Sequence, residues 1–233
     1  MNRPAYRLSA IGLLMLITCA ACSSGNDDVL GVSTNWLGPL HRYERQSGAD
    51  SFGVFVRKEG TRPAPVKQLI LAPAEITVSA ASDFNSLDPA AYEKVRAAFS
   101  DALKKHIAAS ARSSSADADA DAYILRIALT NLTVKRNTTK IGPVSLDELE
   151  FAFNGAAIEA SLSERSTNAR RAVFAHKADA GKALWKDLGT LFDRFARQAA
   201  EKTAEARAAI DRKASLPEKP AEKTAEKTDA SQK

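Results

Sequence analysis

From Tyr123 to Thr130 the chain reads YILRIALT. Tyr123, Leu125, Ile127 and Leu129 share one parity, and Arg126, Ala128 and Thr130 the other. A period of two belongs to a strand, whose successive side chains leave opposite faces. The pattern predicts a half-buried strand, its Leu125 and Ile127 face inward and its Thr130 face towards solvent. A one-residue register error would exchange the two faces.

A second alternation follows in GAAIEASLS, where Ala156, Ile158, Ala160 and Leu162 oppose Glu159 and Ser161. The polar stretch ERSTNAR then leads into RAVFAHKA, so residues 156–177 are expected to form a hairpin. Upstream, Leu69, Ile70 and Leu71 form an apolar run broken by Pro73. A proline cannot donate to a ladder, so a buried strand must end or bulge there.

The spacing changes between and after these runs. Asp88-Pro89 suits a helix start, with Asp88 as N-cap and Pro89 where a missing N–H costs nothing. Tyr92, Val95, Phe99, Leu103 and Ile107 then recur at steps of three and four, one apolar stripe of a helix. A final helix is expected to begin between Lys186 and Thr190 and run to about Arg212, with Leu188, Leu191, Phe192, Phe195 and Ala199 as its core face. One strand, a helix, three strands and a helix predict a single α+β domain over residues 36–212. Its mostly antiparallel sheet would have about four strands, with two helices on one face.

Both ends have the composition of segments outside a core. Arg3 and Arg7, the apolar run Ile11–Ile17 and the small Ala20 and Ala21 make residues 1–21 an export signal. Its apolar core is far below the roughly 20 residues of a membrane span. The two cysteines of the chain, Cys19 and Cys22, sit at its end. A cysteine there resembles the lipobox of bacterial lipoproteins, which implies acylation of its thiol and cleavage just before it.

Cys22 follows Ala20-Ala21 and is the preferred register. Cys19 has Leu16 at the third place back but the β-branched Thr18 just before it, and is the alternative. Acylation of Cys22 would remove Cys19 with the signal and leave no free thiol in an oxidising envelope compartment. Two or more acyl chains anchor stably where one is marginal. Ser23, rather than aspartate, follows Cys22, which points to the periplasmic face of an outer membrane.

Loss of residues 1–21 lowers the formal charge from +5 to +3. The remaining excess is spread along the chain and gives no nucleic-acid footprint. Residues 22–35 have the small polar composition of a tether. Residues 213–233 are expected to be a disordered charged tail with AEKT at 221–224 and again at 225–228, because nothing apolar beyond Leu216 is larger than alanine.

Three segments together, DAYILRIALTNLTV, AAIEASLSERSTNARRAVFAHKAD and LWKDLGTLFDRFARQ, resemble the small proteobacterial lipoproteins grouped as domain of unknown function 3313. Those sequences pair a strand of the "lrlrvaltdl" kind with a hairpin around an Asp-Ser-x-Thr-Gly-like turn and a "W…FD.WA" helix. The likeness spans roughly residues 66–200. Two departures stand out: Glu164-Arg165-Ser166-Thr167-Asn168 replaces the usual turn, and Phe195 stands where tryptophan is common. The resemblance implies a location and a fold. It implies no reaction, since the family brings no known activity.

Catalytic and metal-binding patterns are weak. Asp117, Asp119 and Asp121 begin like a calcium loop, but Ala122 holds the place of its glycine and Ala128 that of its bidentate glutamate. His41, His106 and His176 lack zinc spacing, and neither a G-x-S-x-G elbow nor a phosphate loop occurs. No cofactor is expected. The sequons at Asn131 and Asn137 carry no weight behind a bacterial signal. Trp36 and Trp185 are expected to pack near the domain edges, their other use being to anchor a partner or bilayer surface.

The sequence therefore predicts a non-catalytic binding or envelope-assembly lipoprotein. Its partners would be the membrane, through acyl chains, and an envelope protein, peptidoglycan or a lipid ligand. The alternative is an auxiliary lipoprotein that carries or hands over an apolar ligand, which needs a pocket of about 300 Å³ or more.

Overall fold

The computed structural model describes residues 36–47, 52–58, 60–78, 89–107, 122–136, 145–153, 155–178 and 182–217. Strands β1 (Tyr43–Ser47), β2 (Phe52–Arg57), β3 (Gln68–Leu71) and β4 (Glu75–Val78) precede helix α1 (Pro89–Ile107). Then come β5 (Ala122–Arg136), β6 (Leu149–Phe153), β7 (Gly155–Glu164), β8 (Arg170–Ala178), β9 (Lys182–Leu184) and helix α2 (Trp185–Ser215).

The α+β class holds, but among the described residues the sheet has nine strands and not about four. It is larger than expected because β1, β2, β6 and β9 add to the strands that the alternations mark. β2, FGVFVR, is buried from Phe52 to Val56, so it shows no in-and-out pattern. β3 and β4 pair parallel with β5, and the other pairings are antiparallel.

The registers reduce these nine strands to six positions across the sheet. In the row at Ala128, β5 has Glu75 of β4 on one flank and Glu159 of β7 on the other; at Leu132 it has Val78 of β4 and Phe153 of β6. β6 and β7 therefore follow one another along the same flank of β5, and β9 continues β8 beside them. Between Leu129 and Leu132 the partner advances from Ile158 to Phe153, two residues more than β5 does. Asn131 takes up the bend with φ 54°, a left-handed conformation that asparagine adopts more readily than most residues. Pro73 separates β3 from β4, as its missing N–H requires, while Ala72 on its N-terminal side still donates to the Leu125 carbonyl at 2.9 Å.

One face of the sheet carries the main core. Leu125, Ile127 and Leu129 of β5, Ile158, Ala160 and Leu162 of β7 and Phe52, Val54 and Val56 of β2 join Val95, Phe99 and Leu103 of α1 and Phe192, Phe195 and Ala199 of α2. Phe99 and Phe192 bring the helices together, ring centroids 5.3 Å apart. Asp88, the expected N-cap of α1, lies outside the described residues. α2 starts at Trp185, one residue before the expected window, and runs to Ser215. Ala214 is buried and its carbonyl accepts from Arg62. The first residues assigned to the tail therefore belong to the helix.

The opposite face is not open. Leu37 and Leu40 pack on Phe55, Val173 and Ala175, with Trp36 and Tyr43 at the edge. The solvent-facing parity expected for β5 holds at Arg126, which is exposed. It fails at Ala128 and Thr130, both fully buried. A period of two distinguishes the faces of a strand but does not say that one of them is bare.

Candidate functional site

Segment 36–40 crosses the second face of the sheet and is held there by charge. Glu159, on the outward parity of β7, is completely buried. Its Oε2 accepts the backbone N–H of Trp36 at 3.1 Å and of Leu37 at 2.7 Å. The Trp36 indole Nε1–H donates to Glu75 Oε2 of β4 at 2.8 Å. Glu75, Ala128 and Glu159 form one row across β4, β5 and β7, so Trp36 bridges over the small Ala128. From β8, Arg170 Nη1–H donates to the Leu37 carbonyl at 2.7 Å. Three strands thus grip two consecutive residues, and two of those bonds are charge-assisted contacts to backbone amides. Beside them, burial pushes the Tyr43 hydroxyl up, against the pull of Arg170, Arg57 and Arg42. We call this arrangement the strap clamp.

At the end of the β7–β8 hairpin lies a buried ion pair. Arg171 Nη2 is 2.7 Å from Glu164 Oε2, and both side chains are more than nine-tenths buried. Thr167 Oγ1–H and the Ala64 N–H also donate to Glu164. Burial pushes the Glu164 carboxyl up, and those two donors together with Arg171 outweigh it, so the net displacement is downward. Arg171 also donates to the carbonyl and hydroxyl of Thr61. The pair fastens the loop after β2 to the hairpin tip, where Asn168 turns with φ 54°.

The third cluster staples the helices. Asp193 of α2 accepts from Lys105 Nζ at 2.7 Å and His106 Nε2 at 2.8 Å, both in the last turn of α1, and from Arg197 at 3.0 Å. Lys105 first, then His106, hold its carboxyl well below the usual carboxylate range.

Of the residues singled out in the sequence, Trp36 and His106 fall in these clusters. His106 belongs to the staple, His176 stacks on Phe52 with centroids 4.7 Å apart, and His41 is exposed in a turn. The structure does not bring the three together. Among the described residues no group of three potential metal ligands converges, and no constellation indicates catalysis. Trp185 packs against Phe151 at 6.3 Å. Cys19, Cys22, the tether 22–35, the aspartates 117–121, the sequon at Asn137 and residues 218–233 lie outside the described residues. No described helix is long and apolar enough to cross a membrane.

Glu159 escaped the sequence reading. In GAAIEASLS it occupies the polar parity, and its partner lies more than 120 residues away, so no local signal marks it. One hint was present: Leu37 and Leu40 stand just after a polar stretch, with no element of their own to bury them.

No protein-family model and no curated relative matches the chain. The resemblance to the lipoprotein family therefore rests on the sequence patterns alone. Among solved structures, the chain is similar to a neuraminyllactose-binding hemagglutinin homolog from Helicobacter pylori. The TM-score is 0.38 at 11% identity, over 66% of this chain and 93% of the other. It is also similar to a PelC dodecamer subunit from Paraburkholderia phytofirmans, with TM-score 0.32 at 12% identity, over 69% and 96%. Scores this low do not establish a shared function.

Proposed function

We propose that this chain is a lipoprotein anchored through Cys22 in the outer membrane, with its domain on the periplasmic side, acting as a non-catalytic binding or envelope-assembly module. The observation that carries the reading is the strap clamp. It grips Trp36 and Leu37, immediately after the polar stretch that separates them from Cys22. A lipid anchor at Cys22 would transmit a pull along the chain to Trp36 and Leu37, which are tied to three strands of the sheet. Fully extended, the 13 residues between Cys22 and Trp36 span at most roughly 50 Å, so the domain works close to its membrane.

The carrier reading receives less support. The cleft beside Arg171 has a volume of about 10 Å³, room for one water, far short of the roughly 300 Å³ an apolar ligand needs.

Radiolabelled palmitate decides the anchor. Cys22→Ala should abolish labelling and release the chain from the membrane fraction, while Cys19→Ala leaves both unchanged. The reverse pattern would move the anchor to Cys19, and labelling that survives both substitutions would remove it.

A further inference from the structure

The sheet face that carries the strap has a charge pattern that the reading above does not use. We infer that this face rests on an anionic lipid surface, the headgroups of the membrane in which the chain is anchored. The inference deepens the proposed function and takes its direction of approach from that anchor.

Charge is the first ground. Arg45, Phe55, Val173, Ser161 and Arg126 form one row across β1, β2, β8, β7 and β5, and both arginines are exposed. Lys177, also exposed, continues the parity of Val173 and Ala175. Arg42 and Arg57 stand with Arg170 around the Tyr43 hydroxyl. Among the described residues, the carboxylates of the same parity on these strands and β4 are Glu75 and Glu159, and both accept from the strap. Cations therefore outnumber carboxylates on this face. Across the helix layer, by contrast, cations sit on acids: Arg96 on Glu93, Lys104 on Asp101, Lys105 on Asp193.

The second ground is shape. At the usual strand spacing, the positions of Arg45 and Arg126 lie about 19 Å apart. Charges spread this widely over a sheet do not converge on one bound ion. They match a surface that repeats its negative groups, and each basic residue near such a surface adds to the attraction.

The third ground is what else lies there. Trp36 and Tyr43, both half-buried, edge the apolar patch of Leu37 and Leu40. Tryptophan and tyrosine rings, apolar in body and polar at one end, settle at the level of lipid headgroups. The chain from Cys22 also enters on this face, at Trp36, after 13 residues. Of all anionic surfaces, the anchoring membrane is the one this short connection keeps within reach, at most roughly 50 Å away.

The test places the acylated chain in vesicles of phosphatidylethanolamine and phosphatidylglycerol that contain a lipid with a nitroxide on its headgroup. Trp36 and Trp185 are the only tryptophans, so Trp185→Phe and Trp36→Phe each leave one reporter. Trp185 packs on Phe151 of the main core, away from this face. Quenching of Trp36 with Trp185 unaffected is expected. It should fade when phosphatidylcholine replaces phosphatidylglycerol and as salt rises. Arg42→Gln and Arg126→Gln should each lower the ratio of docked to undocked chain about fivefold. Equal quenching of the two tryptophans overturns the proposal, as does Trp36 quenching indifferent to phosphatidylglycerol. Cys22→Ala separates the face from the anchor. Without acyl chains it should still prefer phosphatidylglycerol vesicles, and adding Arg42→Gln and Arg126→Gln should reduce that preference. A preference that persists where palmitate labelling fails removes the anchor and keeps the face; a preference that the two arginines do not affect removes the face. The wild-type lipid and salt series stands by itself if a variant folds poorly.

Discussion

Glu159→Ala tests whether the strap is held by a charge or merely lies over the sheet. The Leu37 N–H is buried and meets Oε2 at 2.7 Å. Losing a charged acceptor there forfeits about 1.5–3 kcal/mol and leaves a buried donor unmatched. The Trp36 N–H, only part-buried at 3.1 Å, can turn to water and adds about 0.5 kcal/mol. Relief from burying a carboxylate offsets some of this, so the net loss should be about 2–3 kcal/mol. Glu75→Ala removes the exposed acceptor of the same tryptophan and should cost within about 0.5 kcal/mol. Glu159→Gln keeps an acceptor without the charge and should fall between the two. Urea denaturation gives the stabilities, and limited proteolysis near residue 36 reports release of the strap. Equal losses at Glu159 and Glu75 would refute the argument, as would a strap that stays resistant in Glu159→Ala.

Leu125→Ala should cost about 2–5 kcal/mol in the same assay, since that side chain is wholly inside the main core. Thr130→Ala should also exceed the surface range of about 0.5 kcal/mol, and a neutral result would mean the second face is open there. The folded carboxyls of Asp193, Glu164 and Glu205 are displaced downward. Their contribution is therefore full above the unfolded values near 4 and lost as pH falls below them. The unfolding midpoint should drop from about pH 5 downward, with a shallower acid slope in Asp193→Asn; an unchanged slope in that variant would dismiss the staple. Deleting residues 218–233 should leave the midpoint within error, because no apolar side chain larger than alanine lies there, and a fall of several degrees would show that the tail packs.

Where local pattern and burial coincide, the sequence is transparent. β5, β7 and the α1 stripe were legible because their large apolar residues keep to one parity or one stripe in the main core; β8, with Phe174 in that core and Val173 and Ala175 in the second cluster, was placed by the polar turn before it. β2 was not, since Val54 and Val56 enter the main core while Phe55 enters the second cluster, and filling both faces erases the alternation. β6 is a different case: Leu149, Phe151 and Phe153 do alternate, but five residues are too few to distinguish a strand from a loop. The clamp was illegible for a third reason. A glutamate among alternating residues signals a wet face, and only the distant strap converts that face into an interior.

The pairing of β2 with β8 sets an order of assembly. Phe52 must find His176, and Val56 must find Ala172, partners that do not yet exist when the N-terminal strands are made. At about 5–20 residues per second, roughly 120 residues of synthesis separate them, a delay of several to some twenty seconds. Throughout that interval FGVFVR has only β1 to pair with, and its other edge and its apolar side chains stay uncovered, the kind of segment that aggregates when left exposed. β3, β4, α1 and β5 are closer in the chain and can assemble first. The strap and β1–β2 therefore dock last, onto a sheet completed by the C-terminal hairpin, and substitutions in Phe52–Val56 should lower yield during biosynthesis more than they lower the stability of the finished protein.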